Sequence, residues 1–366
     1  MMGAAGFLLA LKLLVVTDEQ RDAYLRRARV WEATNVASKD LWNGPKGKLR
    51  YAVDQRITCD FVPEPLTGWS EKFLCRLKNG SVVKVKYVEG DRHKEVYGEV
   101  LGTRLFWALG FYADRVLPVR VPCRGCPKQP WKYVNARKQR DDLDSLPAGA
   151  EVGTYTFDPA SIEESLDVTP IEGREDQGWG WMELSRVDAA AGGATKAELD
   201  AFRLLNAFVQ NADNGQQQNV LACFRRDTAC SRPIAYVDDL GAVFGRGGGF
   251  TWYEGRSDYG GWKERDVWRD AEPCRARLDS ILSPFESTNL DDPTIGEAGR
   301  ALLAGLLSKL TDKQIADLFR ASRIERLDQW LTEDDGSRRK VLVKDWVLLF
   351  KKKRAQITDH PGCPKP

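Results

Sequence analysis

The stretch from Lys196 to Gly245 constrains the fold most, because its apolar segments and polar loops alternate in a fixed order. A capping box at Thr195 to Glu198 predicts a helix that runs to Gln210. Two apolar segments follow, Val220 to Cys223 and Ile234 to Asp238, and they predict two strands joined by a short connection. If these strands pair as a hairpin, the loop before the first strand lies beside the loop after the second.

Both of these loops carry polar side chains that suit metal-dependent chemistry. The first loop, residues 211–219, contains Asp213, Gln218 and Asn219, and the second contains Asp239 within the sequence Asp-Leu-Gly. Two carboxylates and an amide on adjacent loops can hold Mg²⁺ and orient a hydroxyl. We therefore predict that Asp213 orients or deprotonates an acceptor hydroxyl. Asp239, together with Asn219 or Gln218, is predicted to bind the metal.

A β-hairpin is predicted earlier in the chain, where Asn79-Gly80 separates two strand-like segments, Phe73 to Leu77 and Val82 to Tyr87. Side chains along a strand alternate between its two faces, so Lys86 shares a face with Lys84 while the residues between them take the other face. A lysine can therefore line a pocket while its neighbours fill a core. The alternative is an amphipathic hairpin whose lysines are exposed.

The turn that precedes this hairpin can offer backbone N–H groups and hydroxyls to a phosphate. It contains a single glycine, which permits a tight turn but is not a glycine-rich loop. The residues predicted to bind a cofactor here are Thr67, Gly68, Trp69, Ser70 and Lys72.

An amphipathic helix is predicted from Lys94 to Phe111, with Gly110 at its end. Glu95 and Glu99 lie one helical turn apart and could both face Lys86. We take Glu99 as the partner of the lysine, because it lies deeper in the helix. A strand lysine held by a helix glutamate can reach the phosphates of a nucleotide. The alternative is that both glutamates are surface charges.

Two further segments precede the helix at Lys196. Residues 127–175 are polar and contain several prolines and glycines, which predicts a solvated insertion. The aromatic segment from Gly178 to Ser185 is predicted to be a strand that ends where the chain can link two lobes. There, Glu183 and Leu184 would offer backbone groups to adenine. The alternative is a buried strand anchored by its tryptophans.

Taken together, residues 67–250 resemble the atypical kinase-like phosphotransferases, a group that contains HipA-type kinases, phosphoinositide kinases and secreted Fam-twenty-type kinases. The residues Gly68-Trp69-Ser70-Glu71-Lys72 resemble the HipA-type phosphate loop, and Lys86 and Glu99 resemble its strand lysine and helix partner. Asp213 resembles the catalytic aspartate, and Asp239-Leu240-Gly241 resembles the Asp-Phe-Gly element. The pattern departs from these kinases in one place: they carry the metal-binding Asn five residues after the catalytic Asp. Here that position is Gln218, and Asn219 is one residue further on.

This resemblance implies a two-lobed α+β fold of the protein-kinase type, with an antiparallel sheet plus a helix in the N-lobe and a mostly helical C-lobe. It also implies ATP and Mg²⁺ or Mn²⁺ as cofactors, and transfer of phosphate to a hydroxyl of a protein or a small molecule. Three alternatives remain open: a nucleotide-binding pseudokinase, an enzyme that transfers AMP, and a disulfide-stabilised protein that binds Ca²⁺ without catalysis.

The corresponding domain boundaries divide the chain into five parts. They are a possible leader (1–16), an N-terminal helical extension (17–46), an N-lobe with an insertion (47–188), a C-lobe (189–353) and a tail (354–366). Helices are also predicted for residues 17–37, 275–282, 296–310, 312–320, 327–331 and 341–353.

Composition limits the partners and the cellular compartment. Lys and Arg (55) nearly balance Asp and Glu (53), so the net charge of +2 gives no electrostatic reason to expect nucleic acid binding. No apolar segment reaches the roughly 20 residues that a membrane-spanning helix needs. The eight cysteines are an even number, and with the apolar segment Gly3 to Val16 they favour a secreted or periplasmic location, with a cytoplasmic one as the alternative. A bridge between Cys223 and Cys230 would close the predicted hairpin, and Cys123 and Cys126 form the other local pair.

Overall fold

A computed structural model describes residues 14–90, 94–136, 151–173, 178–247, 257–280 and 288–364, and the predicted leader lies almost entirely outside them. These residues form a mixed α+β structure, as the sequence predicts. The two-lobed arrangement and the domain boundaries stay predictions. The strands are β1 (Leu14–Val15), β2 (Cys59–Val62), β3 (Lys72–Leu77), β4 (Val82–Tyr87), β5 (Arg115–Pro127), β6 (Val152–Glu164), β7 (Val168–Glu172), β8 (Asn219–Phe224), β9 (Ile234–Val237), β10 (Trp268–Asp270), β11 (Arg275–Ala276), β12 (Trp330–Thr332) and β13 (Arg338–Lys340). The helices are α1 (Asp18–Arg26), α2 (Glu95–Leu109), α3 (Pro130–Val134), α4 (Lys196–Val209), α5 (Tyr259–Lys263), α6 (Glu297–Ser308), α7 (Asp312–Ser322) and α8 (Val343–Thr358).

Five strands close into a barrel in the order β2, β3, β4, β6, β5. The predicted hairpin is confirmed as β3 and β4, and its inward residues, such as Phe73 and Val85, are fully buried with Ile162 of β6. Lys84 and Lys86 lie on the outer face, as the alternation predicts. The predicted antiparallel sheet is wrong in one respect, because β2 pairs in parallel with β5 and thereby closes the barrel.

The predicted insertion contains one of the longest strands of the barrel. β6 pairs with both β4 and β5, and its residues Ala160, Ser161 and Ile162 are buried. The prediction of a solvated insertion is therefore wrong for residues 152–164, whereas residues 137–150 lie outside the described part of the chain. Pro159 and several acidic residues concealed this strand, although its inward side chains alternate with outward ones over part of its length.

A second sheet follows in the order β1, β7, β8, β9. The chain crosses from the barrel into this sheet at residues 165–167, between β6 and β7. The predicted hairpin of β8 and β9 is confirmed, and a disulfide between Cys223 and Cys230 bridges it. Cys123 pairs with Cys126, and the other two bridges are Cys59–Cys75 and Cys274–Cys363.

The predicted helices at residues 296–310, 312–320 and 341–353 are confirmed as α6, α7 and α8. They pack with α4 around an aromatic core in which the indole of Trp346 stacks 6.0 Å from that of Trp262 and 5.4 Å from the ring of Phe319. α2 lies between β5 of the barrel and α7. It is therefore held from both sides, by the barrel and by the helices.

Three of the predicted helices are wrong or too long. α1 ends at Arg26, because Arg29 pairs with Ile234 beside β9 and Trp31 pairs with Phe111 after α2. Residues 275–276 form a strand that pairs with β10. At residues 327–331, a 3₁₀ turn ends at Leu327, and Asp328 then adopts the left-handed conformation with φ of 53° before β12 begins.

Among the helices that the structure describes, none combines the length and the apolar character needed to span a bilayer. The four disulfides are typical of proteins from oxidising compartments. The described residues contain no free cysteine.

The Cys274–Cys363 disulfide is expected to stabilise the fold more than the Cys223–Cys230 disulfide. The first joins residues separated by 89 positions and the second joins residues separated by 7, so the first removes more chain entropy from the unfolded state. Replacing both cysteines of a bridge by Ser should lower the free energy of unfolding by about 4–5 kcal/mol for the long loop and about 2–3 kcal/mol for the short one. Urea unfolding of the two double variants measures this. An equal loss, or a larger loss for the short loop, would contradict the expected order.

Candidate active site

Lys86 is the centre of a buried cluster of charges. Its side chain is 5% exposed, and its ammonium forms an ion pair with Glu99 of α2. The ammonium nitrogen also lies 3.8 Å from a carboxylate oxygen of Glu95 and 3.6 Å from one of Asp239. Burial by itself would lower the pKa of Lys86, but the carboxylates of Asp239 and Glu99 hold it well above its usual value. Lys86 is therefore charged at neutral pH.

Three carboxylates surround this single ammonium. One oxygen each of Glu95, Glu99 and Asp239 lie within 4.8 Å of one another. Burial raises the pKa of Glu99, whereas the Lys86 ammonium and the N–H of Gly241 keep the pKa of Asp239 low in spite of burial. The three carboxyl groups therefore form one cluster. Its oxygen atoms are the ligands that Mg²⁺ and Mn²⁺ prefer, so the donor set fits a divalent cation.

Two glycines of α2 allow the Asp239 loop to lie against the helix. A Cβ atom on Gly98 would overlap the carbonyl oxygen of Gly241, and one on Gly102 would lie 2.7 Å from the Cβ of Leu240. The two glycines are four residues apart, so they lie on the same face of the helix. This pair of glycines was not predicted to have a role, although its spacing is visible in the sequence. Without these glycines, Asp239 could not approach the glutamates of α2 so closely.

The predicted phosphate turn lies beside this cluster. Gly68 has φ of 102°, a conformation that favours glycine, and a Cβ atom there would lie 2.5 Å from the amine nitrogen of Lys72. Ser70 donates a hydrogen bond to Glu95, which ties the turn to α2. Lys72 of β3 is directly opposite Lys86 of β4. Thr67 and Trp69 are exposed. The turn therefore carries a second lysine next to the first.

Binding of a phosphate chain should weaken as the pH rises through about 8, because Lys72 loses its proton there. Burial, and then the ammonium groups of Lys86 and Lys84, lower the pKa of Lys72 to about 8. A charged Lys72 favours an anion below that pH, and the neutral amine above it does not. We expect the affinity for tripolyphosphate to fall about tenfold between pH 7 and pH 9, the value of one hydrogen bond to a charged group.

Calorimetry on the full chain and on Lys72→Arg measures this effect. The arginine keeps its charge over the whole range, so the variant should show no such fall. An equal fall in both proteins would assign the titration to another group.

The loop of residues 211–219 lies beside the Asp239 segment, as predicted, because the N–H of Ala212 bonds to the carbonyl of Ala242 at 3.0 Å. The amide of Gln218 donates to Asp213 at 3.3 Å. The amide of Asn219 instead donates to the carbonyl of Trp179 at 2.8 Å, and this residue is buried. Of the two predicted amide ligands, Gln218 is therefore the one that faces Asp213. The roles of all three residues stay predictions.

The segment from Gly178 to Ser185 is not a strand. Residues 181–186 form a 3₁₀ helix, in which Glu183 pairs with Arg21 of α1 at 2.7 Å and Leu184 is fully buried in the core. The chain crosses between the sheets at residues 165–167 instead. The strand predicted here is therefore wrong, whereas the contacts of Glu183 and Leu184 with adenine stay a prediction. The tryptophan side chains anchor a buried turn here, because the indoles of Trp179 and Trp181 donate to main-chain carbonyls.

Polar side chains that the sequence analysis did not select lie near the crossing. Lys84 pairs with Glu163 of β6 at 2.6 Å on the outer face of the barrel. The buried carboxyl of Asp114 bonds to that of Asp238, and burial raises the pKa of both groups. Glu163 was missed because it lies in the segment that was predicted to be an insertion.

In sequence, neither a known protein family nor a curated protein matches the chain. Its structure is similar to that of the Helicobacter pylori proinflammatory kinase CtkA, with 8% identity over 82% of this chain and 94% of that one and a TM-score of 0.41. It is also similar to the Golgi casein kinase, with 12% identity over 98% and 93% of the two chains and a TM-score of 0.40. HipA of Shewanella oneidensis, from a complex with HipB and operator DNA, has 13% identity over 98% and 73% of the two chains and a TM-score of 0.27. Structural similarity at TM-scores this low carries no argument about activity.

Proposed function

We propose that the chain is a phosphotransferase that uses ATP and a divalent cation to phosphorylate a hydroxyl group of a protein or a small molecule. The observation that carries this proposal is the cluster of Lys86 with Glu95, Glu99 and Asp239, which come from a strand, a helix and a loop. Lys86 and Glu99 are buried and the other two groups are partly buried, and such a grouping of ionisable side chains is costly unless they are paired. Three carboxyl groups that converge on one lysine, with oxygen atoms within 4.8 Å of one another, are better explained by a bound cation and phosphate than by stability.

Each residue has a role in this proposal. Lys86 binds phosphate oxygens, and Glu99 holds the lysine in place. The N–H groups of the turn at Gly68 and the amine of Lys72 bind the phosphate chain from the other side. Asp213, held by Gln218, accepts the proton of the acceptor hydroxyl.

The metal would be held by Asp239 with Glu95 and Gln218. When bound, such a cation neutralises the charge that develops on the transferred phosphoryl group. The remaining carboxyl group of the cluster, that of Glu99, holds Lys86 in place beside the metal site. Asn219, whose amide is bonded to Trp179, supports the loop and is less well placed as a ligand.

The disulfides support an extracytoplasmic site of action as part of the same proposal. All eight cysteines form bridges, and two of the bridges lie within the barrel that carries Lys86. The acceptor is a protein or a small molecule, and the nearly balanced charge favours no nucleic acid partner.

The test uses ATP labelled at the γ- or at the α-phosphate, with Mg²⁺ or Mn²⁺, on the full chain and on Asp239→Asn. Transfer of the γ label that is lost in the variant supports the proposal. Asp60→Asn is a matched control, because Asp60 is exposed and pairs with Arg124 on the surface. Transfer of the α label would instead show AMP transfer, and nucleotide binding without transfer would show a pseudokinase. Stabilisation by Ca²⁺ without nucleotide binding would show a cation-binding protein.

A further inference from the structure

The outer face of the barrel carries Lys84 beside Lys86, the lysine that is proposed to bind phosphate. Lys84 and Lys86 are two residues apart on β4 and share this face. Lys72 lies directly opposite Lys86, and Ser70 precedes Lys72, so the proposed phosphate contacts lie at this end of the face. A nucleotide held there would extend past Lys84 toward residues 165–167, where the chain crosses between the sheets.

Three main-chain polar groups at this crossing already have partners inside the protein. The N–H of Leu166 donates to the side chain of Asp114 at 2.8 Å, and the carbonyl of Leu166 accepts from the N–H of Val168 at 2.8 Å. The carbonyl of Asp167 accepts from the N–H of Arg225 at 3.0 Å. These groups are satisfied inside the protein, and a base could bind them only by breaking bonds that already exist.

Polar side chains are present where the base would lie. Lys84 and Glu163 form an ion pair of 2.6 Å with side chains that are 31% and 12% exposed. Burial by itself would raise the pKa of Glu163, but the ammonium groups of Lys84 and Lys86 hold it below its usual value. The pair therefore presents an ionised acceptor and a charged donor side by side. Leu74, directly opposite Lys84 on β3, supplies an apolar contact next to them.

We propose that Lys84 and Glu163 read the base of the donor nucleotide, so that the site accepts guanine as well as adenine. This inference rests on the proposed function. A carboxylate accepts from the amino group of adenine or from the N–H groups of guanine, and an ammonium donates to a ring nitrogen of adenine or to O6 of guanine. Side chains can rotate to match the hydrogen-bonding edge of either base. A rigid main chain would match the donors and acceptors of only one base.

The test measures the affinities of AMP-PNP, GMP-PNP and tripolyphosphate, each with Mg²⁺, for the full chain and for Lys84→Met and Glu163→Gln. Arg76→Met is the matched control, because Arg76 is exposed at the far end of the same face. We expect the full chain to bind the two nucleotides within about tenfold of each other, the discrimination that one hydrogen bond to a charged group provides. Lys84→Met and Glu163→Gln should each change the ratio of the two nucleotide affinities by at least about fivefold and leave the affinity for tripolyphosphate unchanged.

The outcomes separate this inference from the proposed function. If the full chain binds neither nucleotide, both are overturned. If the full chain binds nucleotide but the ratio of the AMP-PNP and GMP-PNP affinities is the same in every variant, only the inference fails. The same holds if the variants weaken the binding of tripolyphosphate as much as the binding of the nucleotides. Thermal unfolding of each variant shows whether the fold is kept, and Glu163→Gln preserves the shape of the side chain. A variant that unfolds is replaced by the double variant Lys84→Met with Glu163→Gln, which leaves no unpaired charge, and the same outcomes apply to it.

Discussion

Replacing Lys86 by Met is expected to lower the rate of phosphoryl transfer by about a thousandfold. The methionine side chain is close to lysine in length, so it fills the space but removes the charge that would stabilise the phosphates. Lys86 lies against Glu99 and 3.6 Å from Asp239, so no other side chain of the described residues holds an equivalent place. Initial rates with γ-labelled ATP measure the loss, and Lys78→Met, in the exposed turn of the same hairpin, should retain full activity.

The same substitution tests whether the lysine is structural or functional. Loss of the ammonium leaves Glu95, Glu99 and Asp239 to repel one another, so the variant should unfold at a lower temperature. Adding Glu99→Gln removes one of these charges and should recover part of that stability without recovering activity. A double variant that regains both would show that Lys86 only supports the fold.

Replacing Gly98 by Ala is expected to lower activity by about a hundredfold, because it displaces the loop that carries Asp239. A Cβ atom at this position would overlap the carbonyl oxygen of Gly241 and lie 3.2 Å from the hydroxyl oxygen of Ser257. The first of these atoms belongs to the backbone, so the loop must shift as a whole. The affinity for Mn²⁺ should fall together with activity, and paramagnetic resonance of bound Mn²⁺ measures it.

Gly305→Ala is the matched control for this substitution. Gly305 lies within α6, and a Cβ atom there would meet nothing within 4 Å, so alanine should stabilise the helix by about 0.5–1 kcal/mol and leave activity unchanged. Normal Mn²⁺ binding and activity in Gly98→Ala would mean that the loop has room to move. The close contact between α2 and Asp239 would then not be needed for function.

The parts of the fold that could be predicted are those governed by local rules. Alternation along β4 placed Lys86 on the outer face, and Asn79-Gly80 marked the turn of its hairpin. The capping box at Thr195 started α4 at the predicted residue. The pairing of β8 with β9 followed from two short apolar segments, and it brought the loop of Asp213 beside the loop of Asp239.

What could not be predicted depends on contacts between distant residues. β6 carries Pro159 and several acidic side chains, and only the barrel shows that residues 160–162 are buried. The helix predicted to continue after Arg26 does not form, because Arg29 pairs with a strand more than two hundred residues away in the sequence. The Gly98 and Gly102 pair could have been noticed, but its meaning depends on Leu240 and Gly241 lying against it.

The most direct measurement of the central claim is a crystal structure of the full chain with Mn²⁺ and AMP-PNP. The anomalous signal of the metal locates it without reference to the protein coordinates. We expect the peak beside Asp239, within coordination distance of Glu95 as well, and a phosphate oxygen in contact with the ammonium of Lys86. Nucleotide bound elsewhere, or a Lys86 that stays paired with Glu99 while phosphate and metal bind at another place, would contradict the proposed site.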